Sequence, residues 1–159
     1  MMVFHGSAEI VRNPDVGHSY RMLDFGAGFY VTTVREQAER WARRKAAVFG
    51  KDKAVINIYQ MDDYTQGLRI KEFDEDLMEW LDFVCDCRDG KKDYLKYDLI
   101  SGKVADDKVF RVVDMYHAGI WDKQRALREM KVYASYHQAA FITQRAIDRL
   151  LVFESFDEV

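Results

Sequence analysis

Apolar and polar positions along the chain alternate between two periods, one of two residues and one of three to four. Residues 2–5 read as a short first strand, and Phe29-Tyr30-Val31-Thr32, aromatic and β-branched, as a second. Residues 6–26 between them hold Pro14, Gly17 and Ser19 and read as a long irregular loop, a length that in a compact domain usually carries function. Thr33-Val34-Arg35-Glu36 fits a capping box and opens a helix with Val34, Ala38, Trp41, Ala42 and Phe49 at helical spacing. Strands are predicted over 54–61 and 68–73. Leu77, Trp80, Leu81 and Val84 form one stripe of an amphipathic helix over 74–87. A strand over 97–101 follows, then a helix from Asp106 with Val109, Val112, Val113 and Tyr116 on one face, and a shorter helix over 122–130. A strand over 136–142, a helix over 143–151 and a strand over 152–156 complete the pattern. Several strands follow one another without a crossover helix, which predicts α+β rather than a doubly wound sheet.

Composition adds boundaries to that picture. The chain has 159 residues with a single proline and no linker-like stretch, so one domain spanning 1–159 is expected. The net charge of −3 argues against a protein whose main business is gripping nucleic-acid backbone, but leaves a nucleic acid open as a transient substrate. There is no run of eighteen apolar residues, and the apolar start breaks at His5-Gly6-Ser7. Neither a membrane span nor a secretory signal is expected, and the reading is cytoplasmic. Cys85 and Cys87 sit too close in sequence to bridge easily and read as reduced thiols, one in helix packing and one at the surface. No second Cys/His cluster accompanies them, so no zinc or other metal is expected.

Two segments carry candidate chemistry. His5-Gly6-Ser7 reads either as a plain turn or as a ligand-facing strand end, where His offers a ring nitrogen and Gly lets a ligand pair with the backbone. In Asp24-Phe25-Gly26-Ala27-Gly28-Phe29-Tyr30-Val31-Thr32-Thr33 the glycines enter a strand rather than a helix and the third glycine is missing. It is therefore not a dinucleotide fingerprint, and no Gly-Lys-Ser/Thr follows to make a P-loop. The backbone at Gly28 could still approach a flat ligand. Phe29 and Tyr30 point to opposite faces, Phe29 into the core and Tyr30 toward a planar ring. In the first loop, Arg12 and Arg21 are guanidinium candidates for a diphosphate, and Arg21 lies closer to the glycines. Arg40, Arg43, Arg44 and Lys45 read as a solvated helix face.

Together these segments resemble a known group. His-Gly-Ser on a first strand, Asp-Phe-Gly-x-Gly-Phe-Tyr-x-Thr-Thr and the Gln37-Ala38-x-x-Trp41-Ala42 helix are similar to bacterial domain-of-unknown-function family 3990, of the ADP-ribosyltransferase-like superfamily. The likeness continues through Trp80-Leu81-Asp82-Phe83, residues 97–107 and Tyr136-His137-Gln138-Ala139-Ala140-Phe141. It implies a split β-sandwich of two small sheets with NAD as co-substrate in the cleft between them. It further implies transfer of ADP-ribose to a macromolecule, protein or nucleic acid, by a toxin or host-modifying factor often encoded beside a small helical antitoxin-like partner. By the same resemblance His5 donates to a ribose hydroxyl, the Gly6 backbone pairs with the nicotinamide carboxamide, and Tyr30 stacks on the nicotinamide ring. Ser7 and Gly28 flank these positions. The usual Glu of a later strand is matched by Gln138, which can accept from the ribose 2′-hydroxyl but cannot act as a base. An assisting carboxylate could then be Asp24, Asp106 or Asp107, each with a plain alternative as a loop residue or helix cap. Alternation puts His137 on the face opposite Gln138. A catalytically silent NAD-binding module and a bare NAD glycohydrolase are the competing readings.

Overall fold

The computed structural model describes residues 1–18, 24–73, 77–103, 107–130 and 137–159. The fold is α+β. Its elements are β1 (Met2–Ser7), β2 (Phe29–Val31), α1 (Arg35–Val48), β3 (Val55–Met61), β4 (Ile70–Glu72), α2 (Leu77–Arg88), β5 (Leu99–Lys103), α3 (Asp107–His117), α4 (Lys123–Met130), β6 (His137–Phe141), α5 (Gln144–Leu150) and β7 (Leu151–Glu158). The strands form a three-stranded sheet of order β1-β3-β7 and a four-stranded sheet of order β2-β6-β5-β4. All pairings are antiparallel except β4 with β5.

Burial stacks these elements in four layers. Val55 to Tyr59 of β3 are buried without alternation, because the strand is covered on both faces. On one face Ile56 and Ile58 meet Ala38 of α1; on the other Tyr59 joins Val3, Phe29, Leu99 and Phe141 between the two sheets. The far face of the four-stranded sheet, through Tyr30, Ile100 and Ala140, packs on Trp80, Leu81 and Val84 of α2 and on Val109, Val112 and Val113 of α3. Helix α1 lies so close to β1 that a Cβ on Gly6 would overlap the Ala38 carbonyl oxygen and sit 2.6 Å from the Ala42 amide nitrogen. Only glycine allows that approach.

Three sequence expectations are corrected. Helix α1 begins one residue late for a Thr33 capping box: its N-cap is Val34, with no side-chain cap. The hydroxyl that serves this end is Thr32 Oγ1, which accepts from the Val34 amide at 3.0 Å, because Thr32 is already fixed by a backbone bridge to Phe4. Phe49 lies beyond the end of α1 and is half exposed instead of lying on its buried face, which consists of Gln37, Ala38, Ala42 and Ala46. Both cysteines are free and buried, so neither is a surface thiol. Among the described residues no helix is long and apolar enough to cross a membrane.

Candidate functional site

Strands β1 and β2 belong to different sheets and meet at one bridge, Phe4 with Thr32, closed by hydrogen bonds of 2.8 and 2.9 Å. The next equivalent pair would be Gly6 with Tyr30, but β2 turns away to pair with β6 and the strands splay. His5 spans the opening, with Nδ1 2.6 Å from the Tyr30 carbonyl oxygen and the ring stacked on Phe29 at 4.2 Å. A carbonyl only accepts, so Nδ1 carries the proton and donates it to Tyr30.

Backbone groups on one edge of a strand recur every second residue. Phe4 turns its N–H and C=O toward Thr32, so buried Gly6 turns its own pair the same way, into the opening. The Tyr30 backbone faces the opening from the other side by the same alternation, its carbonyl held by His5. The opening is thus edged by a donor and an acceptor of Gly6, with the buried His5 ring beside them.

Beside it, on β6, Gln138 is 2% exposed and lies opposite Gly102 of β5. Its Nε2 donates to Asp24 Oδ2 at 3.2 Å, which turns the amide nitrogen toward the carboxylate and the oxygen away from it. His137 is on the exposed side, as alternation requires, and burial lowers its pKa more than Glu72 raises it. Tyr30 shares the Gln138 face. Phe29 takes the core place expected of it, but Tyr30 is not left open to a planar ligand as expected: at 8% exposure its ring packs in the core against α2 and α3. Its hydroxyl donates to the Gly26 carbonyl at 2.6 Å and accepts from the Phe25 amide at 2.9 Å. Burial first, and then the charge of Asp24, push its pKa well above the usual value. A Cβ on Gly28 would lie 2.5 Å from the Phe141 carbonyl oxygen, so this glycine lets the turn lie on β6.

Ser7 is buried at the end of β1, where its Oγ accepts from the Glu9 amide at 3.4 Å. The chain leaving β1 is then held by two residues that sequence reasoning took only as strand positions. Asn57, fully buried opposite His5, accepts from the Val11 amide at 2.8 Å and donates to the Glu9 carbonyl at 3.1 Å. The Tyr59 hydroxyl donates to the Val11 carbonyl at 2.5 Å. An asparagine inside the apolar run Val55-Ile56-Asn57-Ile58-Tyr59 was the available signal. Gln37 was also missed: it is 2% exposed, its Oε1 lies 3.3 Å from Thr32 Oγ1, and its Nε2 has no partner among the described residues.

Arg21 and Asp106 lie outside the described residues, and Asp107 opens α3. Arg12 sits away from the opening, its guanidinium 5.2 Å from the centre of the Phe153 ring. Two open cavities, of about 350 and 600 Å³, are lined by residues 9–13 with Asp15 and by residues of that loop with α5 and β7; neither includes His5, Tyr30 or Gln138. Among the described residues no group of three or more His, Cys, Asp or Glu is placed to hold a metal ion.

The sequence model of the family described as "Protein of unknown function (DUF3990)" matches residues 1–153. The chain belongs to this family. No curated protein and no solved structure matches it. His5, Gly6, Asp24, Tyr30 and Gln138 all fall within the DUF3990 match, so the geometry around the splayed strands is drawn from the family's own span.

Proposed function

We propose that this DUF3990 protein is an NAD-dependent ADP-ribosyltransferase with an ADP-ribosyltransferase-like fold, taking NAD as co-substrate in the opening between β1 and β2. The supporting observation is the splay beyond the Phe4–Thr32 bridge, which turns the Gly6 backbone pair into the opening beside His5. A primary carboxamide needs one donor and one acceptor at strand-edge spacing. The Gly6 N–H suits its oxygen and the Gly6 C=O its NH₂. His5 Nε2 hydrogen-bonds a ribose hydroxyl. As the bond from ribose to nicotinamide lengthens, positive charge develops on the sugar, and the amide oxygen of Gln138 stabilises it by accepting from the 2′-hydroxyl. Ser7 and Gly28 shape the two strand ends, and Arg21 is the proposed diphosphate partner. The acceptor of ADP-ribose is a protein or nucleic acid, in the manner of a cytoplasmic toxin held in check by a small helical antitoxin-like partner.

Gln138 also supports a second reading, a binding module without turnover, because an amide has no titratable proton. Incubating the purified chain and a cell lysate with NAD labelled in its adenylate separates the readings. Transfer predicts label on macromolecules, removed by protease or by nuclease according to the acceptor. Nicotinamide release without such label means a glycohydrolase. Binding without release means the module, and ends the transferase reading.

A further inference from the structure

In the proposed function Gln138 brings an amide to the place where a ribosyl-transferring site gains most from a negative charge. A carboxylate stands next to it. Asp24 Oδ2 is 3.2 Å from Gln138 Nε2, although 114 positions separate the two residues. The turn that carries Asp24 is stapled in place: Phe25, fully buried, donates to the Tyr30 hydroxyl at 2.9 Å, and that hydroxyl donates to the Gly26 carbonyl at 2.6 Å. Tyr30 in turn pairs with Ala140, two residues along β6 from Gln138. Asp24 is therefore held to the same strand pair as the amide it contacts. Gln138 is 2% exposed whereas Asp24 is only half-buried, so the carboxylate is the more accessible member of the pair.

We infer that Asp24 supplies the carboxylate of this site, dividing between two residues what a single Glu does elsewhere: Gln138 holds the ribose hydroxyl, and Asp24 takes the proton of the attacking nucleophile. The inference rests on the reading of this chain as an NAD-cleaving enzyme. With water as nucleophile the step balances: the water oxygen bonds to ribose C1′, the bonding pair of the broken C1′–N bond leaves with neutral nicotinamide, and one water proton passes to Asp24 and then to solvent. The neighbouring Cys87 thiol does not compete for that proton as a thiolate, because burial, and then the charge of Asp24, push its pKa up to about 12.

The test is nicotinamide release from NAD in water, with NAD affinity and melting temperature measured in parallel, for the unaltered chain, Asp24→Asn, Gln138→Glu and the double variant. Asp24→Asn should lower kcat by about 10²–10³ while NAD affinity stays within about threefold, the signature of a contact used in the transition state. The double variant moves the carboxylate onto β6 and keeps an amide on the turn. It should recover to within about tenfold of the unaltered chain. If Asp24→Asn does not fold, Asp24→Ser provides the same comparison. Unaltered kcat in the Asp24 variant overturns the inference, as does a double variant that binds NAD yet remains as slow as Asp24→Asn. Failure of the unaltered chain to release nicotinamide removes the underlying reading, and shows before any substitution is compared.

Discussion

The Tyr30 hydroxyl holds the Phe25 amide and the Gly26 carbonyl together, both within a buried turn. Removing it in Tyr30→Phe strands two backbone groups and should lower the unfolding free energy by about 1–3 kcal/mol. Urea denaturation checks this, and a stability equal to the native value would mean that the hydroxyl staples nothing. Gln37 shows the opposite imbalance. Its amide nitrogen is buried without a partner among the described residues, while the Thr32 hydroxyl already has the His137 carbonyl at 2.8 Å. Gln37→Met removes the buried donor at similar volume and should raise stability by about 1 kcal/mol. A loss of similar size would show that the amide is satisfied. At this scale the placing of His5 and Gly6 near the end of β1 was legible because a local triplet carried it. The contact between Asp24 and Gln138 was not, since no spacing rule relates positions 114 apart.

Among the elements, β5 and α5 are knotted to the approach to β4 by one buried carboxylate. Asp98 accepts from the Arg69 amide at 2.7 Å, the Thr143 hydroxyl at 2.8 Å and the Arg145 guanidinium at 3.1 Å. Burial alone would raise its pKa, but the hydrogen bonds from Arg69 and Thr143 outweigh it and hold the carboxyl well below the usual range. A carboxyl lowered on folding adds stability above its unfolded pKa of about 4 and loses it as pH falls through the folded value. Asp98→Ala should therefore cost about 1–3 kcal/mol at pH 7, the cost of stranding the Arg69 amide and the Thr143 hydroxyl. The gap in melting temperature between native and variant should narrow below about pH 4; a gap independent of pH would contradict the assignment. The order of elements and the α+β class were readable from hydrophobic period, because each stripe was long enough to show its face. The start of α1 was not. Thr32 and Thr33 are equal candidates by local chemistry, and the long-range bridge from Phe4 decides between them.

Across the whole molecule, two sheets share the interior through Val3, Phe29, Tyr59 and Phe141, and they part where β1 and β2 diverge. The split arises because β2 serves two partners in succession, Phe4 through Thr32 and then β6 through residues 29–31. His5, Gly6 and Tyr30 lie along that divergence, and none of them lines the cavities around Arg12 and Phe153. The most direct test of the account is to titrate the ¹⁵N-labelled chain with NAD and follow the backbone amides. The account predicts that Gly6, Tyr30 and Gln138 shift together with one saturation curve, while Asn13, Asp148 and Val152 do not move. Shifts confined to those last three, or none at all, would contradict it.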